Sequence, residues 1–396
     1  MSRPLSKKVL FLLVYLVSFL YSFHYALPLY IDSSFVAQFL PTEAAVGIVF
    51  SVAALFSAII TFLYPRILRR WGNYRTAVTT MGLEVVVLIA LAVFSKIFPN
   101  PVAIIAIFVF HQILVNSIYL NLDTFVESFS EDSKTGGIRG IFMTILSIAV
   151  AVAPFMAGLM LTDHDFWKIY LASAVFMAIG TLIIAKNFRS QNETPCIVPT
   201  FKETLRLIAG SHDLHSIIFM HFLLAFFFAW MIIYTPIYLN KHMGIAMNDI
   251  LSIITPIALL PFIFFEVFLG KLADTKLGEK EILTVGFILM AVSTAGLSLI
   301  TTSSVAVWAA ALFVTRTGAS AVEVMTESYF YKQVGPCDIH IVTFMRMIRS
   351  TAYMVGPLIG SLVLYFAGDD YRYLFLALGV IMLTALPYSF TIKDTR

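Results

Sequence analysis

Uninterrupted apolar stretches of about twenty residues alternate along this chain with short polar connections, and each is long enough, as a helix, to cross the hydrocarbon layer of a bilayer. One set occupies residues 9–31, 44–64, 76–94, 101–123, 138–161 and 166–185. A second occupies residues 216–239, 250–269, 282–300, 305–330, 339–366 and 371–390. The pattern predicts an all-α membrane protein with twelve transmembrane helices. The longest connection, residues 186–215, holds Thr200-Phe201-Lys202-Glu203 ahead of Leu205-Arg206-Leu207-Ile208 and Gly210. A capping box, a short amphipathic run and a glycine stop predict a surface helix there. The expected organisation is an N-terminal six-helix bundle over residues 1–187, a cytoplasmic linker over 188–215 and a C-terminal six-helix bundle over 216–396.

Charge fixes the expected orientation. Lys and Arg concentrate on the cytoplasmic side of membrane proteins. With both termini inside, nineteen basic residues fall on inner segments and four (Lys96, Lys168, Lys241, Arg372) on outer loops, while Arg316, Arg346 and Arg349 lie within spans. Both termini are therefore expected in the cytoplasm of a multi-pass protein of the plasma or inner membrane. Composition agrees, because 60% hydrophobic residues, 12% charged residues and a mean hydropathy of +0.90 exceed what a soluble domain of this size can hide from water. A net charge of +3 spread along the chain gives nucleic acid nothing to bind, and two cysteines imply no disulfide framework. The basic leader from Met1 to Lys8 precedes a full-length apolar stretch, so the first span reads as permanent rather than as a cleaved signal.

The two halves echo one another. Leu27-Pro28-Leu29-Tyr30-Ile31 matches Thr235-Pro236-Ile237-Tyr238-Leu239, Asp123 and Glu127-Ser128-Phe129 match Glu323 and Glu327-Ser328-Tyr329, and Ala153-Pro154 matches Gly356-Pro357. The three offsets, 208, 200 and 203, are nearly one, which marks two copies of one architecture. The loop after span 8 reads Gly270-Lys271-Leu272-Ala273-Asp274-Thr275-Lys276-Leu277-Gly278-Glu279-Lys280. It resembles the loop signature of the major facilitator superfamily. The loop after span 2 keeps the second glycine at Gly72 and its basic residues, but Arg69 stands where the family has its aspartate. The resemblance implies two pseudo-symmetric six-helix bundles, a central cavity lined by spans 1, 4, 7 and 10, and transport by alternating access.

Ionisable side chains at membrane depth are costly and mark functional candidates. Gln112, Asn116, Tyr119, Asp123 and Glu127 share one face of span 4, and Arg316, Ser320, Glu323 and Glu327 one face of span 10. Arg316 and Arg349 come out near the midplane, and either bind an anionic or polar substrate or neutralise buried carboxylates. Arg346 sits at the depth of Glu323 and is expected to pair with it. Asp123 and Glu323 are the expected proton carriers, because partial desolvation raises a carboxyl pKa toward neutrality. His24, His111 and His221 lie on cavity-type helices, as cavity groups or as hydrogen-bonding struts. Trp230 and Tyr234 are placed either to stack on a substrate or to pack. Glu127 and Glu327 are expected at the cytoplasmic rim, as gating or as simply solvated residues, and Glu266, Gly270, Asp274 and Gly278 in a latch with Arg139. Glu84 lies on span 3, peripheral in the resembling fold, and is expected to pack against a neighbour.

These residues predict a secondary transporter of a small solute, coupled to protons or another ion and monomeric in the bilayer. Enzymes are disfavoured. Asp369-Asp370 is an isolated acidic pair, and neither a zinc motif nor a phosphate-cradling loop appears, so no cofactor or metal is expected. A uniporter and a non-transporting sensor or assembly protein on the same scaffold remain as alternatives. The Asp274 carboxylate is expected to accept hydrogen bonds at the start of span 5 and to pair with Arg139. Asp274→Asn should therefore shift the protein toward an open cytoplasmic face. Spin-label distances across that face check this, and an unchanged distribution counts against the latch.

Overall fold

The computed structural model describes residues 7–129, 135–161, 165–189, 201–273, 278–333 and 339–393, and most of these are helical. The first half holds α1 (Lys7–Leu29), α2 (Asp32–Ala37), α3 (Ala44–Trp71), α4 (Asn73–Lys96), α5 (Pro101–Phe129), α6 (Thr135–Met160) and α7 (Phe166–Asn187). Helix α8 (Phe201–Gly210) occupies the connection. The second half holds α9 (His212–Ile237), α10 (Met247–Asp249), α11 (Thr255–Leu272), α12 (Glu279–Gly296), α13 (Val305–Gln333), α14 (Ile339–Ala367), α15 (Tyr371–Leu383) and α16 (Leu386–Thr391). Wider π-type turns extend α9 through Tyr238–His242 and join α10 to α11 through Ile250–Ile254. Among the described residues, 11 helical segments are long and apolar enough to cross a membrane, and the apolar Thr144–Met160 of α6 completes the set of twelve.

The chain forms two compact units, Met1–Phe39 with Val52–Cys196, and Leu40–Ser51 with Ile197–Arg396. In the first, α1 packs on α6 and α7, and α4 packs on α5 and α7. In the second, α9 packs on α14, and α12 packs on α13 and α15. Corresponding helices thus take corresponding neighbours, which is the spatial form of the sequence repeat.

Away from water, every polar group needs a partner inside the protein. Ser18, Ser117, Thr181 and Thr317 each donate to the carbonyl four residues earlier in their own helix. Other hydroxyls tie helices together: Tyr21 donates to the Val115 carbonyl at 2.9 Å, Ser22 to Leu146 at 3.0 Å, Tyr64 to Ser117 at 3.2 Å and Tyr74 to Ala185 at 3.0 Å. Bonds of this kind are worth roughly 1 kcal/mol each in a membrane, so they orient the helices more than they hold them.

Two glycines set the entry into equivalent helices. Gly72 caps α4 with φ 76° and ψ 158°, and Gly278 caps α12 with φ 90° and ψ 164°. This backbone region is essentially closed to residues with a Cβ, which explains why the second glycine of the loop signature appears in both halves. Replacing either with alanine should cost about 1–3 kcal/mol. Gly82 lies inside α4 with nothing within 4 Å of an added Cβ. Alanine there should leave stability unchanged or raise it by up to about 1 kcal/mol. Thermal unfolding of Gly72→Ala, Gly278→Ala and Gly82→Ala in detergent should show this opposite sign.

Candidate functional site

Helix α4 shows its burial in its spacing. Ala77, Met81, Glu84, Leu88 and Leu91 recur three or four residues apart and have no exposed surface, whereas Leu83, Val86 and Ile89 face outward. Glu84 therefore stands in the inward stripe, about 17 Å along the helix from either end. Its Oε1 meets two imidazoles: His111 Nδ1 from α5 at 2.6 Å and His24 Nε2 from α1 at 3.3 Å. His24 Nδ1 also contacts the Tyr21 backbone carbonyl. All three side chains are fully buried.

A second carboxylate lies beside them. Asp32 opens α2, is 2% exposed, accepts from Tyr170 Oη at 2.8 Å and from Gln112 Nε2 at 3.1 Å. The Tyr170 ring stands edge-on to His111 at 6.5 Å between centroids. Five stretches of the first unit, in α1, α2, α4, α5 and α7, thus converge on one polar cluster. Burying a charge costs several kcal/mol, and deleting one partner of a buried pair costs about 3–5 kcal/mol, so each member needs the others.

The sequence places His24, His111 and Gln112 on cavity-type helices, and the structure joins them through two acids treated differently by that reading. Glu84, expected only to pack, is the centre to which both histidines bind. Asp32 was missed because the apolar pattern stops at Ile31. The inward stripe of α4 was the signal for Glu84. For Asp32 no comparable pattern existed. Lower on α5, Asn116 donates to Thr61 at 2.8 Å, Tyr119 packs near Tyr21 and Phe142, and Asp123 is buried at 8% exposure. Asp123 lies about 18 Å along the helix from His111, a separate level of the bundle.

In the second unit, Arg316 is 5% exposed with its guanidinium over the rings of Phe227 (5.2 Å) and Phe228 (5.6 Å) of α9. Ser320 is spent on the Pro261 carbonyl of α11 at 3.3 Å. Trp230 and Tyr234 have no exposed surface, and the Tyr234 hydroxyl donates to the Pro357 carbonyl at 2.6 Å and lies 3.2 Å from Ser361 Oγ. The Tyr234 hydroxyl is thus bonded within the protein, whereas the buried Trp230 Nε1 has no hydrogen-bond partner. Glu323 and Glu327 are half-buried on α13, and Arg349 is exposed on α14. Beside Gly278, Glu279 is 1% exposed and takes Lys332 and Ser328 of α13 as partners. Asp274 lies outside the described residues, as do the side chains of Glu127, Arg139, Glu266 and Arg346 and the surroundings of Gly270.

A third cluster closes the Leu40–Ser51 segment onto the rest of the second unit. Glu43 Oε2 accepts from Tyr371 Oη at 2.8 Å and contacts His242 Nε2 at 2.9 Å, while Oε1 pairs with Lys241 Nζ at 3.1 Å. The Tyr371 ring packs on His242 and stacks on Tyr238. Sequence reasoning did not find this group, whose members lie ahead of α3, in the extension of α9 and at the first residue of α15.

A family model described as Major Facilitator Superfamily matches residues 9–336. No curated protein sequence matches significantly. Among solved structures, the nucleoside transporter NupG is similar at a TM-score of 0.70 and 14% identity, over 97% of this chain and 100% of that one. The D-xylose-proton symporter gives 0.71 and 15% over 99% of each chain. A bacterial homolog of the human lysosomal transporter Spinster, inward-facing and unoccupied, gives 0.73 and 12% over 98% of this chain and 97% of its own. At these identities the likeness shows the fold.

The Glu43 contact yields a pH dependence measurable without any solute. Burial raises the Glu43 carboxyl, but hydrogen bonds from His242, Tyr371 and Lys241 outweigh it and hold the pKa down to about 2, against an ordinary 4.5. A depressed folded-state pKa contributes stability above the unfolded value and loses it as pH falls through the folded one. The stability lost in Glu43→Gln should therefore be complete above about pH 4.5 and fade as pH falls toward 2. Thermal unfolding of both proteins across that range checks it.

Proposed function

We propose that this chain, which belongs to the Major Facilitator Superfamily, is a secondary transporter that moves a small solute by alternating access and couples that movement to protons. The observation that carries the reading is the fully buried Glu84–His24–His111 cluster. A bundle built only to stand in a bilayer gains nothing from a mid-span carboxylate, since apolar packing would fill the same volume at lower cost. Imidazole is the side chain whose ordinary pKa lies nearest physiological pH, and two imidazoles on one carboxyl group at that depth offer a pH gradient something to act upon. The proton named for the D-xylose symporter of similar fold supports the same choice.

In this reading the two bundles correspond to residues 1–187 and 216–396 joined by the α8 linker, both termini lie in the cytoplasm, and the protein works as a monomer in a plasma or inner membrane. Arg316, over its two phenylalanine rings, remains a candidate contact for an anionic or polar solute. Asp123 and Glu323 hold equivalent repeat positions and remain candidates for carrying the proton between levels of the bundle.

The test is flux into proteoliposomes under an imposed pH gradient, using a nucleoside, D-xylose and a peptide as the first solutes. One pH unit carries about 1.4 kcal/mol per proton, which supports roughly tenfold accumulation if one proton accompanies each solute. Solute-dependent dissipation of the gradient, together with accumulation of that order, is the expected result. Flux that ignores the gradient would make the protein a uniporter or couple it to another ion.

A further inference from the structure

Donor and acceptor identities around Glu84 count the protons the cluster must hold. A backbone carbonyl only accepts, so the contact of His24 Nδ1 with the Tyr21 carbonyl places a hydrogen on Nδ1. A neutral imidazole carries one N–H. His24 Nε2 would then be a bare lone pair facing Glu84 Oε1 at 3.3 Å, and two acceptors cannot form that contact. A further proton is required between them, carried by His24 as an imidazolium or by Glu84 as a carboxylic acid. Both assignments leave Oε1 a lone pair to accept from His111 Nδ1–H at 2.6 Å, and both give the three residues the same total charge of zero.

Two atoms at the edge of the cluster are open. Glu84 Oε2 and His111 Nε2 are buried and have no hydrogen-bond partner. With His111 Nδ1 donating, Nε2 is an acceptor. An incoming proton therefore has two places to land beside the one it will occupy, Glu84 Oε2 and His111 Nε2. The titratable groups that face the cluster are His24 and Tyr21 from α1, Asp32 from α2, His111 from α5 and Tyr170 from α7. Asp32, tied to Gln112 and Tyr170, is the second carboxylate of the group and lies at the α1–α2 corner.

We infer that Glu84, His24 and His111 form a proton-binding site in the first unit, with one exchangeable proton held in the His24–Glu84 contact. Loading takes one proton from water onto that contact and makes no other bond. Release returns it to water and leaves a carboxylate facing a lone pair, so the emptied site must separate its partners. Coupling of proton occupancy to helix position follows directly, because His24 and Glu84 sit on different helices, α1 and α4. The use of this proton to drive solute rests on the transporter reading above, whereas its binding does not.

The experiment needs no solute, since the proton is the probe. Purified full-length protein in detergent is stepped from about pH 8 to about pH 5 with an indicator dye, and the protons taken up are counted for wild type and Glu84→Gln. An ordinary glutamate stays ionised over most of that range, so loss of a merely structural Glu84 leaves the count unchanged. The site predicts about one proton fewer. The glutamine amide donates to His24 Nε2 and its oxygen accepts from His111, which removes the need for the extra proton. An equal count in the two proteins overturns the inference.

If Glu84→Gln does not fold, nitrogen-15 histidine NMR of the wild type carries the test, with the His24 signal assigned through His24→Gln. His24 should change protonation or hydrogen bonding within the same pH window. A His24 signal that stays constant overturns the site. Failure of the transporter reading is distinguishable. Proton uptake lost in Glu84→Gln beside solute flux that ignores pH leaves the site standing and removes its use. Flux that follows pH beside an unchanged count does the reverse.

Discussion

Backbone amides and carbonyls have no water to bond within an apolar slab, and that constraint organises this protein from its first helix to its last. Helices satisfy it within each segment, which is why so much of the described chain is helical and why the connections are short. The same constraint reaches the side chains. A serine or threonine inside a span turns back on its own helix, a tyrosine reaches the carbonyl of a neighbour, and a carboxylate must be met by several groups at once. Glu84 is the limiting case. It binds side chains from two other helices, and those helices cannot rotate or slide freely without exposing a charge to hydrocarbon.

Much of the fold was legible because lipid imposes length and polarity rules that sequence obeys visibly. The apolar stretches, the repeat and the loop glycines all survive in the structure, the last because Gly72 and Gly278 hold a backbone conformation that a Cβ would strain. The candidate site was legible only in part. Depth along a helix can be counted from the sequence, so His24, His111 and Gln112 were found. Direction around the helix axis decides which residues meet, and for α4 it was written in the stripe Ala77, Met81, Glu84, Leu88 and Leu91. Asp32 carried no such signature, because it follows the apolar run of α1 and is buried by a corner in the chain rather than by a periodic face.

Aromatic residues show the complementary limit. Trp230 and Tyr234 have the spacing of a stacking platform, and that spacing is equally the spacing of a helix–helix seam. What distinguishes the two is the fate of the polar tip. The Tyr234 hydroxyl is consumed by the Pro357 carbonyl, inside the continuous helix α14, and its ring lies in the seam between α9 and α14. No property of the sequence near Tyr234 announces a partner more than a hundred residues away.

The duplicated architecture carries its charge chemistry unequally. Offsets of 208 for His24, 200 for His111 and, for Glu84, the 206 that separates Gly72 from Gly278 lead to Ile232, Ala311 and Met290, all apolar. Where the first copy stores an ionisable cluster, the second stores proximity: a Cβ added at Gly318 would lie 2.7 Å from the Met290 amide nitrogen, so α12 and α13 cross almost backbone to backbone. Symmetry in this chain is therefore a property of the scaffold and not of its contents. At these positions the first half packs around fully buried polar side chains, and the second brings two backbones close together at Gly318. What is conserved between the halves is which helices meet, and what differs is whether they meet through polar side chains or through bare backbone.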